Sequence, residues 1–98
     1  MCTDSQQHRC YLAEWYRPEV TAQRVDDIAA QLVAAVEMMC AGGTPVRLLA
    51  TVVVPTDEVL YGLFAANSSE IVLQACKQAG IPAERLTAGV NARIPLER

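Results

Sequence analysis

TPVRLLATVVVPTDEVLYGLFAA, residues 44–66, holds two apolar runs on either side of a short polar break at Pro55, Thr56, Asp57 and Glu58. Both runs are rich in β-branched and aromatic residues, so the stretch reads as a β-hairpin buried on at least one face. Outward from it, a helical period lies on each side, and beyond each helix lies a strand-like run. The resulting order is β-α-β-β-α-β. It predicts an α+β fold of the ferredoxin-like kind, a βαββαβ sandwich in which a four-stranded antiparallel sheet carries both helices on one face.

The chain has 98 residues, which is the size of one domain. Residues 1–9 read as a flexible lead-in and residues 10–95 as a single ferredoxin-like domain. Hydrophobic residues make up 52% of the chain, the net charge is -3 and the pI is near 5.0. An acidic chain lacks the basic face that nucleic acid or an anionic membrane requires. No apolar run reaches the roughly 18 residues of a membrane span. The polar first nine residues do not read as a signal peptide, and the expected location is cytoplasmic. None of the four cysteines forms a CxxC pair. Cys40 and Cys76 sit among apolar neighbours in helical stretches, which reads as reduced core thiols.

In the hairpin, Val59, Tyr61, Leu63 and Ala65 alternate with Leu60, Gly62, Phe64 and Ala66, and Gly62 marks a gap in the sheet or a close approach. In the run 46–54, Val46, Leu48, Ala50, Val52 and Val54 share one face, while Leu49 and Val53 share the other with Arg47 and Thr51. Such a strand is apolar on both faces and needs cover on both, yet the two helices supply only one layer. A second copy of the chain is the expected cover, giving a homodimer of the dimeric α+β barrel type.

The helix before the hairpin is expected from an N-cap at Thr21 to about residue 40, with Asp26 and Asp27 near its positive end. Val25, Ile28, Leu32, Val36 and Met39 form its core stripe, and Gly42 and Gly43 end it. The helix after the hairpin, 69–79, is expected to open on a capping box formed by Asn67 and Glu70. Gly80 closes it. The first strand, 10–16, sets Cys10, Leu12 and Glu14 on one face and Tyr11, Ala13 and Trp15 on the other. The last, 86–94, sets Leu86, Ala88, Val90, Ala92 and Ile94 against Thr87, Gly89, Asn91 and Arg93.

The segment LFAANSSEIVLQACKQAGIPAERL, residues 63–86, carries a family likeness. Its pattern is a strand ending in Ala, a helix-capping step, a helix closing on Ala79 and Gly80, and then Ile81, Pro82, Ala83, Glu84 and Arg85. With Tyr11, Leu12, Ala13 and Glu14 in the first strand, it resembles small bacterial ferredoxin-like proteins of a domain-of-unknown-function family, sometimes labelled nickel-responsive or nickel-binding. The likeness spans about residues 10–94. It implies the same fold and a nickel site. That family pattern carries a Glu at the end of the third strand and a His in the second helix, and Ala65 and Ala75 stand at those places here.

Three constellations bear on function. His8, Cys10 and Glu14 alternate along one strand face if the strand begins at His8. Imidazole, thiolate and carboxylate together suit a borderline ion, nickel or zinc. Tyr11, Trp15, Tyr61 and Phe64 hold most of the aromatic surface and, with Asn91 and Arg93, are candidates to line a pocket for an apolar small molecule. No Ser-His-Asp order is present, because His8 is the only histidine. Asp26 with Asp27 and Asp57 with Glu58 are accounted for by helix-end and turn positions. The expected function is therefore a homodimeric ligand- or metal-binding protein without a strong catalytic signature. The alternative is a cofactor-free isomerase or monooxygenase of the dimeric α+β barrel type, working in the cleft between sheet and helices with Glu14, Asn91 and Arg93 as its polar groups.

Overall fold

The structure is a computed structural model that describes residues 9–18 and 21–91. Its elements run β1 (Arg9–Tyr16), α1 (Ala22–Ala41), β2 (Val46–Val54), a 3₁₀ turn (Pro55–Asp57), β3 (Val59–Ala66), α2 (Ser69–Gln78) and β4 (Arg85–Val90). The strands form one sheet in the order β2-β3-β1-β4, and every adjacent pair is antiparallel. This is the ferredoxin-like α+β fold expected from the order of elements. β1 starts at Arg9, one residue before the expected domain boundary, and β4 spans residues 85–90 against the expected 86–94.

The pleat alternates, and the strand residues that join the core cluster identify the face under the helices. In β1 these are Tyr11, Ala13 and Trp15, and in β3 they are Leu60, Phe64 and Ala66. From α1 they meet Ile28, Leu32, Val36 and Met39, and from α2 they meet Val72, Ala75 and Cys76. Gly62 lies on this same face. A Cβ there would stand 3.1 Å from ring atoms of both Phe64 and Trp15. Its hydrogen therefore makes room for two aromatic rings inside the core, rather than for a partner outside it.

Both helices end on glycine in the left-handed region, Gly43 at φ 96° and Gly80 at φ 85°. The Gly80 amide donates to the Lys77 carbonyl and the Ile81 amide to the Cys76 carbonyl, each at 3.0 Å. That is the Schellman pattern, and the residue after the glycine, Ile81, packs into the core beside Cys76. At the other end of α2 the cap is Ser68, whose hydroxyl accepts from the Ile71 amide at 3.3 Å. The expected Asn67 cap is thus displaced by one residue. Thr21 caps α1 as expected, accepting from the Arg24 amide at 3.1 Å. The helix starts at Ala22, so Asp26 and Asp27 fall beyond its first turn, where the dipole's charge has faded. Asp27 accepts instead from the Gln23 side chain at 3.0 Å.

Two register shifts correct the faces read from simple alternation. In β2 the pairing jumps from Leu48 opposite Phe64 to Ala50 opposite Leu63, leaving Leu49 as an extra residue. Beyond that bulge every side chain changes sides. Val46, Leu48, Thr51 and Val53 therefore face the helices, while Arg47, Ala50, Val52 and Val54 face away. In β4 the shift falls between the residues facing Cys10 and Leu12, so Leu86 packs under the helices while Thr87 and Val90 lie on the other face.

Candidate functional site

The face of the sheet that the helices leave uncovered is the candidate site. Leu12 on β1, Ala50 and Val52 on β2, Tyr61 and Leu63 on β3, and Val90 on β4 lie on it, as the strand register requires. Val52 is 52% exposed. The surface is apolar across its middle, with polar residues at Glu14, Tyr16, Arg47, Arg85 and Thr87.

Glu14 is the exception to that apolar middle. It sits on β1, between Tyr61 of β3 and Arg85 of β4. Its side chain is only 13% exposed. The Tyr16 hydroxyl donates to its Oε1 at 3.0 Å, and the Arg85 Nε lies 4.0 Å from its Oε2. The hydrogen bond to Glu14, followed by the carboxylate's negative charge, raises the Tyr16 hydroxyl above its ordinary pKa, so that hydroxyl stays a donor through neutral pH. Nearby, Arg17 pairs with Glu84, and the Glu84 amide donates to the Glu14 carbonyl at 2.9 Å. These contacts tie the α2–β4 connection to β1 beside the carboxylate. A fixed carboxylate on an apolar wall can accept from a cation or a hydrogen-bond donor on an otherwise apolar molecule.

The sequence-derived candidates divide between two layers. Tyr11, Trp15 and Phe64 are core residues under the helices, 4%, 1% and 0% exposed. Tyr61 lies on the opposite face of the sheet. The four aromatics therefore do not line one pocket. The Trp15 indole N–H donates to the Ile81 carbonyl at 2.8 Å and the Pro82 carbonyl at 3.1 Å, so its polar atom is engaged within the core wall. Among the described residues, the space between sheet and helices contains no buried polar or charged side chain. Asn91 is exposed just past β4, and Arg93 lies outside the described residues.

Of the metal candidates, Cys10 and Glu14 share the open face and His8 lies outside the described residues. Four residues of strand separate the Cα atoms of Cys10 and Glu14 by about 13 Å, too wide for thiolate and carboxylate to meet on one ion. Among the described residues no three His, Cys, Asp or Glu side chains come together as metal ligands. Ala65 and Ala75 offer only methyl groups, and Ala75 is fully buried. The described residues do not fit a nickel or zinc centre within one chain.

Cys76 is a buried free thiol, as expected, and Cys10 is a half-buried one. Cys40 corrects the expectation of a reduced thiol, because it is disulfide-bonded. It stands near the exposed end of α1, half-buried rather than enclosed, with its sulfur 3.2 Å from the Val46 carbonyl oxygen. Sequence reasoning singled out Glu14 but passed over Tyr16 and Arg85. The readable signal was cross-strand chemistry, a Tyr two residues beyond a Glu and an Arg opening the next strand on the same edge.

No family model matches the chain, and no curated protein matches it either. A crystal structure of SCO4226 from Streptomyces coelicolor A3(2) superposes on it with a TM-score of 0.69 at 16% sequence identity, over 91% of this chain and 99% of that one. The likeness is one of fold. No described helix is long and apolar enough to cross a membrane.

Proposed function

We propose that the chain is a homodimeric ligand-binding protein whose site lies between two facing sheets. Two copies pair through the open faces, and the space around Glu14 takes an apolar small molecule bearing a cationic or hydroxyl end. The observation behind this reading is the composition of that face. The middle of that face is apolar, and within it stands one carboxylate, held by Tyr16 and flanked by Arg85. Covering that surface removes apolar area from water, and a buried carboxylate then requires a partner. Tyr16 supplies part of that partnership and a bound ligand supplies the rest.

Native mass spectrometry of the purified protein tests the reading. The expected species is a dimer that carries a low-mass organic adduct, released on denaturation and absent from a Glu14→Ala variant. A monomer at micromolar concentration sinks the proposal. A bare dimer that takes up nickel or zinc in stoichiometric amount instead replaces the organic ligand with a metal site shared between copies.

A further inference from the structure

Glu14 has neighbours across both adjacent strands of the open face. Tyr61 stands opposite it on β3 and Arg85 opposite it on β4. Leu12 and Tyr16 lie two residues away along β1 on the same face. The Tyr16 hydroxyl donates to Oε1 at 3.0 Å, and the Arg85 Nε lies 4.0 Å from Oε2. A proton acceptor, a phenolic donor and a cation are thus gathered within one cross-strand step, beside the apolar pair of Leu12 and Leu63. Holding a hydroxyl group needs only the carboxylate. The donor and the cation are what a carbonyl oxygen needs as it gains negative charge.

We infer that this site moves a proton between carbon and oxygen, interconverting the keto and enol forms of an uncharged apolar ketone bound between the two sheets. The inference rests on the ligand-binding reading above and specifies the ligand's hydroxyl end as that of an enol. The first argument is charge. Glu14 and Arg85 lie side by side with opposite signs, so together they favour no net charge on the ligand. The second is the division of roles. Tyr16 occupies Oε1, and Oε2 is the oxygen placed to take a proton. The third is freedom to move. Tyr16 is 47% exposed in the single chain, so its ring can turn from Oε1 to a ligand oxygen without disturbing the core.

In the step, Glu14 Oε2 takes a proton from the carbon beside the carbonyl. The C–H electron pair becomes the C=C bond, and the carbonyl π pair moves onto oxygen. That oxygen takes the Tyr16 proton, and the Tyr16 oxygen recovers one from Glu14 along the hydrogen bond that joins them in the free chain. The product is the enol, both residues return to their starting states, and no oxidant or co-reactant is consumed. A second sheet over the site excludes water and strengthens the interactions with the charged oxygen.

Proton NMR in deuterated water tests this with β-tetralone, an uncharged apolar ketone with acidic C–H bonds beside its carbonyl. The full-length protein is expected to exchange those protons for deuterium about a thousandfold faster than Glu14→Gln, which keeps the side chain's size and its acceptor for Tyr16. Tyr16→Phe changes an exposed side chain and spares the core, and it should slow the exchange by about a hundredfold. Saturation transfer in the same sample reports binding, and light scattering reports the dimer. Tetralone that binds the dimer but exchanges no faster than with Glu14→Gln overturns the proton transfer and leaves the ligand-binding reading standing. Unchanged exchange in Tyr16→Phe overturns the two-residue step. A dimer that binds no tetralone overturns the substrate class, and a monomer overturns both readings.

Discussion

Trp15 and Gly62 show how single positions set this core. The indole ring lies under the helices with its N–H donating to the carbonyls of Ile81 and Pro82, and the ring edge passes over the bare Cα of Gly62. Adding one methyl group in Gly62→Ala forces both Trp15 and Phe64 to shift, and we expect a loss of about 1–3 kcal/mol in urea unfolding with a change in tryptophan emission. A neutral result would show that the rings have slack on the helix side. Cys76 makes a different prediction. Burial pushes its thiol up to about 12 from an ordinary 9.0. The neutral thiol suits the core, so its contribution is complete below pH 9 and declines as pH rises toward 12. The stability difference between the unaltered chain and Cys76→Ala should therefore shrink over that interval, and the native thiol should resist iodoacetamide at pH 8 until the chain unfolds. Alternation in β1 was legible in the sequence as two sets. Which set faces the core was not legible, since a one-residue slip exchanges the two; the structure buries Tyr11, Ala13 and Trp15. The aromatic pocket was misread because rings alternating on neighbouring strands can fill a core as readily as line a cavity.

The elements themselves were mostly written in local sequence. Apolar spacing placed α1 and α2, and glycine placed their ends, since the left-handed residue that closes each helix has few substitutes. The cap of α2 was ambiguous because Asn67, Ser68 and Ser69 all have suitable side chains, and only backbone geometry selects among them. Ser68 has the extended conformation and the bond to Ile71. Ser68→Ala should therefore lower stability by about 1 kcal/mol in thermal unfolding, while Asn67→Ala should change it by only a few tenths. The reverse order would return the cap to Asn67. The β2 bulge left no trace that a pattern of alternation could detect. Leu48, Leu49 and Ala50 are all apolar, so an extra residue there costs little in composition while it exchanges the two faces of everything after it. In β4 a glycine, Gly89, lay beside the irregularity and was a usable signal.

For the whole molecule, the two helices form a single layer and cannot cover both sides of a sheet that is apolar on both. That argument needed only the composition of residues 46–66, and it survives the bulge because Ala50, Val52 and Val54 keep the uncovered face of β2 apolar. The site on that face was less legible. Glu14 acquires its setting from Tyr16 on its own strand and Arg85 far along the chain, a meeting that β1–β4 pairing creates. On the reading proposed above, a charge placed in the apolar part of this face should separate the copies without disturbing the fold of either. Val52 is the suitable position, since it is 52% exposed in the single chain and sits on the edge strand, two strands from Glu14 across Tyr61. Val52→Glu should leave monomer unfolding within about 0.5 kcal/mol of the unaltered chain, as exposed substitutions do. In a dimer it would place two carboxylates in a dry interface by symmetry, a desolvation cost no neighbouring group offsets. Light scattering across a concentration series should then report a monomer where the unaltered protein is a dimer. A Val52→Glu protein that stays dimeric would move the interface off this face, and with it the cavity in which Glu14 is proposed to act.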